Sequence, residues 1–312
     1  MPKVAVVIPA RYASTRLPAK PLLAIAGKPL VQHVWERCLR AKGIEKVIVA
    51  TDDMRIAEAA FGFGAEVAMT SAKHRSGTDR VAEVAKKLRG FSHIINVQGD
   101  EPLIDPAIVT KLAVAMAKDK TIEMITCANP FGPEDDVTNP NMVKVVLDRH
   151  GNGLYFSRSP IPYVRNDGLK PTFYRHQGIY GYSTKFLLRF VKWKPGLLEQ
   201  AESLEQLRAL ENGAKIRVIL AKKAAVGVDT PEDVAIVERL LANGNPSSAA
   251  KPGSQRKATA VAQRSMRGPQ RNALRFNARK MPSANLSIFT AVPTTRIIDF
   301  CEDITGSVRP IF

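Results

Sequence analysis

The sequence predicts an α/β fold built on a doubly wound, mostly parallel sheet, and three features carry that expectation. Val4, Val6, Val7 and Ile8 form a β-branched run without polar alternation, as a strand covered on both faces does. Strand-like and helix-like patterns then alternate with short links as far as Ala128. The apolar runs also empty, one after another, into loops rich in charged and small residues. In an open α/β sheet, ligands bind outside the carboxyl ends of the strands.

The first strand stops at Pro9. Behind it, PARYASTRLPAKPL carries Arg11, Arg16 and Lys20 among Ala10, Ala13, Ser14 and Thr15. Cations, hydroxyls and open backbone N–H groups in one loop suit phosphates; an ordinary solvated connection would turn the same cations to water. Neither GxxxxGK[ST] nor GxGxxG is present, which excludes a P-loop and a dinucleotide fingerprint. In LVQHVWERCLRAKG, Leu30, Val31, Val34, Trp35, Cys38 and Leu39 recur at helical spacing, with Gly43 as the stop and His33 as a packing or surface residue. KVIVAT is a second strand ending at Asp52-Asp53, a short helix runs to Gly62-Phe63-Gly64, and EVAMT is a third strand. Next comes Ser76-Gly77-Thr78-Asp79-Arg80 at a helix start. By default this is an N-cap. Because it follows a strand, it also suits a ligand loop, with Gly77 for close approach and Thr78 or Arg80 for base or phosphate contacts.

The fourth strand, HIINVQGDEP, brings Gln98, Gly99, Asp100 and Glu101 to its carboxyl end. A carboxylate pair beside a basic loop suits a magnesium nucleotide, since magnesium takes one or two carboxylates and completes its shell with phosphates and water. PAIVTKLAVAMAK and EMITCA continue the wound pattern as helix and strand. NMVKVVLDRHGNGLYFSR then makes two strands around a turn holding a solvated His150, and delivers Arg158, whose guanidinium can pair a carboxylate through two hydrogen bonds. RHQGIYGY is a short strand, and LLEQAESLEQLRALENG is a single acidic-apolar helix. In GVDTPED, Asp229 follows a strand and Thr230 with Pro231 starts a helix.

At 312 residues and 45% hydrophobic content, the chain can bury a substantial core in one large domain or two small ones. The formal net charge is +17, and from Asn243 onward there are 11 Lys+Arg against 3 Asp+Glu, so the tail holds nearly half of it. NGNPSSAAKPGSQRKATA has the composition of a disordered segment. The arginines of RSMRGPQRNALRFNARK suit nucleic acid or an anionic membrane surface, and equally an idle solvated extension. No apolar run approaches the roughly 18 residues of a membrane span, and Pro9 and Arg11 break the N-terminal run too early for a signal peptide. Cys38, Cys127 and Cys301 are far apart, without metal-ligand spacing, as in a reducing compartment; a cytoplasmic protein is expected.

The opening loop, of the form xIPARxxSTRLPxKPL, resembles the nucleotide-binding loop of sugar-nucleotide cytidylyltransferases. NVQGDEP, NPNMVKVVLD, LYFSRSPIP, RHQGIYGY, PGLLEQAESLEQLRAL and GVDTPEDV follow in order. They resemble the motifs of the 3-deoxy-D-manno-octulosonate (Kdo) cytidylyltransferase family, the CMP-Kdo synthetases of lipopolysaccharide synthesis, from Val4 to Leu241. The resemblance implies a nucleotide-diphospho-sugar transferase-like fold with a smaller antiparallel subregion for sugar binding and dimerisation. It implies a catalytic domain over residues 1–242, a separate tail over 243–312, and a homodimer.

The implied reaction joins the anomeric hydroxyl of Kdo to the α-phosphate of CTP and releases diphosphate. Asp100 and Asp229 would hold Mg2+, and Arg11 and Lys20 would assist catalysis. Ala10, Arg11, Ser14, Arg16, Lys20, Ser76, Gly77, Thr78, Arg80 and Gln98 would bind the nucleotide, with Ser14, Thr78, Arg80 and main-chain groups at Ala10 and Arg11 reading cytosine. Gln98, Arg158, His176, Tyr180, Glu205 and Gln206 would bind the sugar, Arg158 at its carboxylate. The chain departs from the family at Ala19, where LPGKPL is common. Two alternatives stand beside this reading: another sugar acid, sialate-like or 8-amino-Kdo, and a nucleic-acid-binding protein acting through the tail.

Overall fold

The computed structural model describes residues 2–13, 17–166, 168–222 and 226–243. Ser14, Thr15, Arg16 and the tail beyond Asn243 lie outside the described residues. Eleven strands form among those described: β1 (Val4–Ala10), β2 (Ala24–Ile25), β3 (Lys28–Pro29), β4 (Lys46–Thr51), β5 (Glu66–Met69), β6 (His93–Asn96), β7 (Met124–Pro130), β8 (Lys144–Leu147), β9 (Gly153–Ser157), β10 (Tyr174–Ser183) and β11 (Ile216–Leu220). The helices are α1 (Leu30–Leu39), α2 (Met54–Gly62), α3 (Gly77–Lys87), α4 (Pro106–Lys118), α5 (Thr184–Phe190), α6 (Leu197–Glu202), α7 (Gln206–Glu211) and α8 (Pro231–Ala242).

The apolar run that opens the chain becomes the central strand. β1 pairs in parallel with β4 on one side and β6 on the other, and β5 extends the parallel set beyond β4. Val4, Val6 and Ile8 pack on one face with residues of α1, α2 and α4; Ala5 and Val7 pack on the other with residues of α3, α5 and α7. That two-sided burial is why the run lacks polar alternation.

The parallel series does not simply continue. β10 enters antiparallel between β6 and β7, and β11 then pairs in parallel with β7. The β8–β9 hairpin joins the other end of β10, giving the small antiparallel branch. RHQGIYGY is thus part of a ten-residue strand rather than a short one, with a register shift between Gln177 and Tyr180.

Three further expectations are corrected. The first helix ends at Leu39 and Gly43 sits in the following turn at φ 77°. LLEQAESLEQLRALENG forms two helices, α6 and α7, broken at Ser203 with φ 51°. The break is held by a distant residue: the carbonyls of Glu202 and Ser203 accept from the Arg158 guanidinium, at 2.6 and 3.3 Å. Asp229 does not directly follow a strand, since β11 ends at Leu220. It arrives on an extended stretch pinned by Val228 N–H to the Asp100 carbonyl at 2.9 Å, and Val228 packs with Ile25, Leu30 and the α8 residues Val237 and Leu240.

His33 is buried with Nε2 2.7 Å from the Ile25 carbonyl, whereas His150 is exposed. Cys38 and Cys127 are buried free thiols. Among the described residues, no helix is long and apolar enough to cross a membrane.

Candidate active site

The loops after β1, β5 and β6 and the segment before α8 surround one cavity of about 440 Å³. Its floor depends on close backbone packing. A Cβ on Gly99 would lie 2.8 Å from the Pro9 carbonyl oxygen, so only glycine lets the two strand ends meet. At its rim stands the N-terminus of α3. Ser76 caps that helix by accepting from Asp79 N–H at 3.1 Å, and Asp79 returns the bond, so the N-cap reading of SGTD holds while Ser76 and Gly77 also line the cavity.

Lys20 occupies the middle of the charged side. Its ammonium donates to Asp100 at 2.7 Å and to Asp229 at 3.1 Å, joining residues far apart in sequence. Burial alone would lower the Lys20 pKa, but the two carboxylates outweigh it and the pKa is raised. Both aspartates remain open, with side chains 38% and 53% exposed. Thr230 caps α8 in a capping box with Asp233, leaving the Asp229 side chain to the cavity. Burial, and then the charge of Arg80, lower the pKa of Arg11, which donates to the Arg75 carbonyl at 3.2 Å.

Asp100 and Glu101 do not act as a pair. Glu101 turns inward, where burial first and the Asp100 charge second push its pKa up to about 8. The second carboxylate at the cavity is Asp229.

Beside this charged side, β10 presents a neutral one. Gln98 lines the cavity and packs against β10, where a Cβ on Gly178 would lie 3.8 Å from Gln98 Cγ. His176 and Tyr180 flank that glycine, with ring centres 5.5 Å apart. Tyr180 donates to Gln206 Oε1 at 3.0 Å, and His176 Nε2 lies 2.9 Å from Thr126 Oγ1. Burial holds His176 neutral by pushing its pKa down to about 3. Glu205 accepts from the Thr78 hydroxyl. His176, Tyr180, Glu205 and Gln206 therefore gather as one group.

Three expected contacts are placed elsewhere. Arg80 is fully buried, ion-paired with Asp52 at 3.1 Å and hydrogen-bonded to Thr70 Oγ1. Thr78 is buried and turned to Glu205. Neither is among the residues lining the cavity, and both brace α3 in this structure. The Arg158 guanidinium donates to the carbonyls of Pro140, Glu202 and Ser203 and so spans the break between α6 and α7.

Sequence reasoning missed Arg75, whose basic side chain precedes Ser76 at the rim. It also missed the support of the first loop. Arg55 stacks 3.3 Å from the centre of the Tyr12 ring while its guanidinium grips both oxygens of Asp53, at 2.9 and 2.6 Å.

Residues 5–216 match the cytidylyltransferase family. The chain belongs to that family. It is 49% identical over 248 residues to the 3-deoxy-manno-octulosonate cytidylyltransferase of Geobacter sulfurreducens, across 76% of this chain and 99% of the relative. The enzyme of the same name from Syntrophobacter fumaroxidans is 51% identical over 239 residues, across 76% and 96%. Among solved structures, CMP:2-keto-3-deoxy-manno-octonic acid synthetase complexed with CTP superposes with a TM-score of 0.74 at 44% identity, over 78% of this chain and 99% of that one. The 4-diphosphocytidyl-2C-methyl-D-erythritol synthase of Anaerococcus prevotii, 13% identical with a TM-score of 0.53 over 77% and 96%, shares the fold alone.

Proposed function

We infer that this cytidylyltransferase transfers CMP from CTP to the anomeric hydroxyl of Kdo, releasing diphosphate and activating the sugar acid for lipopolysaccharide synthesis. One observation carries the reading: a single cavity brings Arg11, Lys20, Asp100 and Asp229 to one side and Gln98, with the His176 group behind it, to the other. A scaffold for a basic tail has no use for that arrangement, and the named relatives favour Kdo over other sugar acids.

Nucleotidyl transfer is largely a matter of in-line positioning and of offsetting charge on the phosphates. Arg11 and Lys20 offset charge on the departing diphosphate. The α3 N-terminus at Ser76 and Gly77 opens on the same cavity and favours an anion there. Arg16 and Ser14, outside the described residues, belong to the same loop. Main-chain groups at Ala10 and Arg11 take the base.

The donor set fits magnesium, because two accessible carboxylates already share one cation, the Lys20 ammonium. We assign Asp100 and Asp229 as its holders; the ion would neutralise phosphate charge and activate the sugar hydroxyl. Lys20 would then be released to phosphate oxygens. On the acceptor side, Gln98, His176, Tyr180, Glu205 and Gln206 hydrogen-bond the sugar. Arg158 shapes that wall through Glu202 and Ser203. We assign the activity to residues 1–242, place the enzyme in the cytoplasm and propose a homodimer, for which the exposed Leu154 and Tyr163 near the antiparallel branch offer apolar surface.

Diphosphate release, measured over a matrix of nucleoside triphosphates and sugar acids with magnesium, tests the reading. CTP with Kdo is expected to be the best pair and UTP much poorer. Equal turnover with UTP, or none with Kdo, overturns it.

A further inference from the structure

The hydroxyl of Thr78 belongs to the helix that faces the nucleotide, yet its partner belongs to the acceptor wall. Thr78 lies in the first turn of α3, directly after the cavity-lining Ser76 and Gly77, and is 4% exposed. It donates to Glu205 Oε2 across a sequence gap of 127 residues. Ser76, two residues earlier, caps the same helix by accepting from Asp79 N–H at 3.1 Å.

Glu205 stands at the N-cap of α7, yet its side chain makes no capping bond, so the carboxylate is free to reach α3. Its other oxygen lies 3.5 Å from Arg208, an arginine already held by Glu199 at 2.7 Å. The neighbouring Gln206 is fixed from the opposite side by Tyr180. Two adjacent acceptor-wall residues are thus fastened separately, one to β10 and one to the nucleotide helix.

We propose that Thr78 is a positioning residue for the acceptor: it fixes Glu205 from the nucleotide side, and so couples occupancy of the CTP half of the cavity to recognition of the sugar. The proposal rests on the assignment of Glu205 to the acceptor. Any adjustment of Ser76 and Gly77 around the nucleotide reaches Glu205 through the Thr78 hydroxyl, and by linkage the acceptor acts back on the nucleotide by the same factor.

The test uses the full-length enzyme with Thr78→Val, which keeps the branched shape and removes the hydroxyl, and Thr78→Ser, which keeps it. Acceptor KM, CTP Kd by calorimetry without acceptor, and Tm are measured for each. Thr78→Val is expected to raise the KM for Kdo about tenfold or more, the effect of losing a hydrogen bond to a charged group. CTP Kd should stay within about twofold, as no direct contact is lost, and Thr78→Ser should restore the KM. Should Thr78→Val fail to fold, Thr78→Ala carries the same comparison without a methyl group near the carboxylate.

An unchanged acceptor KM overturns the proposal. So does an equal loss of CTP affinity, which would return Thr78 to the nucleotide, or failure of serine to rescue, which would make its role one of shape. Wild-type enzyme that ignores Kdo overturns the functional reading itself, a result distinguishable because it appears before any substitution.

Discussion

The side of the cavity built on β1 and β6 keeps its charges near solvent, whereas β10 contributes enclosed, neutral polar groups to the other side. Lys20, Asp100 and Asp229 form a chain of three charges with open carboxylates. His176, Tyr180 and Gln206 are tied to one another or to Thr126, with the imidazole held uncharged. The difference suits the ligands proposed for each side. A triphosphate needs charge that can change partners, while a polyhydroxylated sugar needs fixed donors and acceptors that have paid for their desolvation within the fold.

The largest expected effect lies on the charged side. Asp100→Asn and Asp229→Asn should each lower kcat by about 100-fold or more with little change in melting temperature, because these carboxylates position charge and do not fill the core. Steady-state kinetics beside thermal melts would show it. Near-normal turnover in either variant would remove that aspartate from the site and make the two sides less distinct.

A smaller effect tests the neutral side. The folded-state pKa of His176, about 3, lies below its ordinary value of 6.5, so the unfolded chain binds the proton first on acidification. The stability His176 contributes is complete above about pH 6.5 and is lost as the pH falls toward 3. His176→Phe should therefore melt with a shallower pH dependence than wild type across that range. Parallel curves would mean that the imidazole is not held neutral by enclosure.

The smallest concerns the loop that joins the first strand to Lys20. Ala19 sits in the left-handed region at φ 57°, which glycine adopts without a Cβ penalty. Ala19→Gly should stabilise the enzyme by about 1 kcal/mol through relief of the Cβ clash, read from denaturant melts, with kcat unchanged. A loss of stability would mean that the extra freedom of glycine in the unfolded chain outweighs the strain.

The parallel half of the fold was legible because each strand is short, apolar and followed by a helix with its own stop signal. KVIVAT and PAIVTKLAVAMAK both appear as read. The gathering of Lys20 and Asp100 at one cavity followed from their places after strand ends, whereas Asp229 was placed with them by the family resemblance. The insertion of β10 between β6 and β7 was not, since strand order depends on pairing partners that leave no periodic trace. Nor was the fate of Thr78, Arg80 and Arg158. Each has the chemistry of a ligand contact, and only tertiary placement turned it to Glu205, to Asp52 and Thr70, or to three carbonyls.

The bond from Val228 N–H to the Asp100 carbonyl bears on how the enzyme is made. A chain leaving the ribosome can assemble β1, β4, β5 and β6, and with them Arg11, Lys20 and Asp100, while the remainder is still being synthesised. Asp229 reaches Lys20 only after the segment leading into α8 has emerged and been seated on the hairpin formed by β2 and β3. The charged triad is therefore complete only once α8, the last element among the described residues, has emerged, and a nascent chain stalled before it could present the first loop without Asp229.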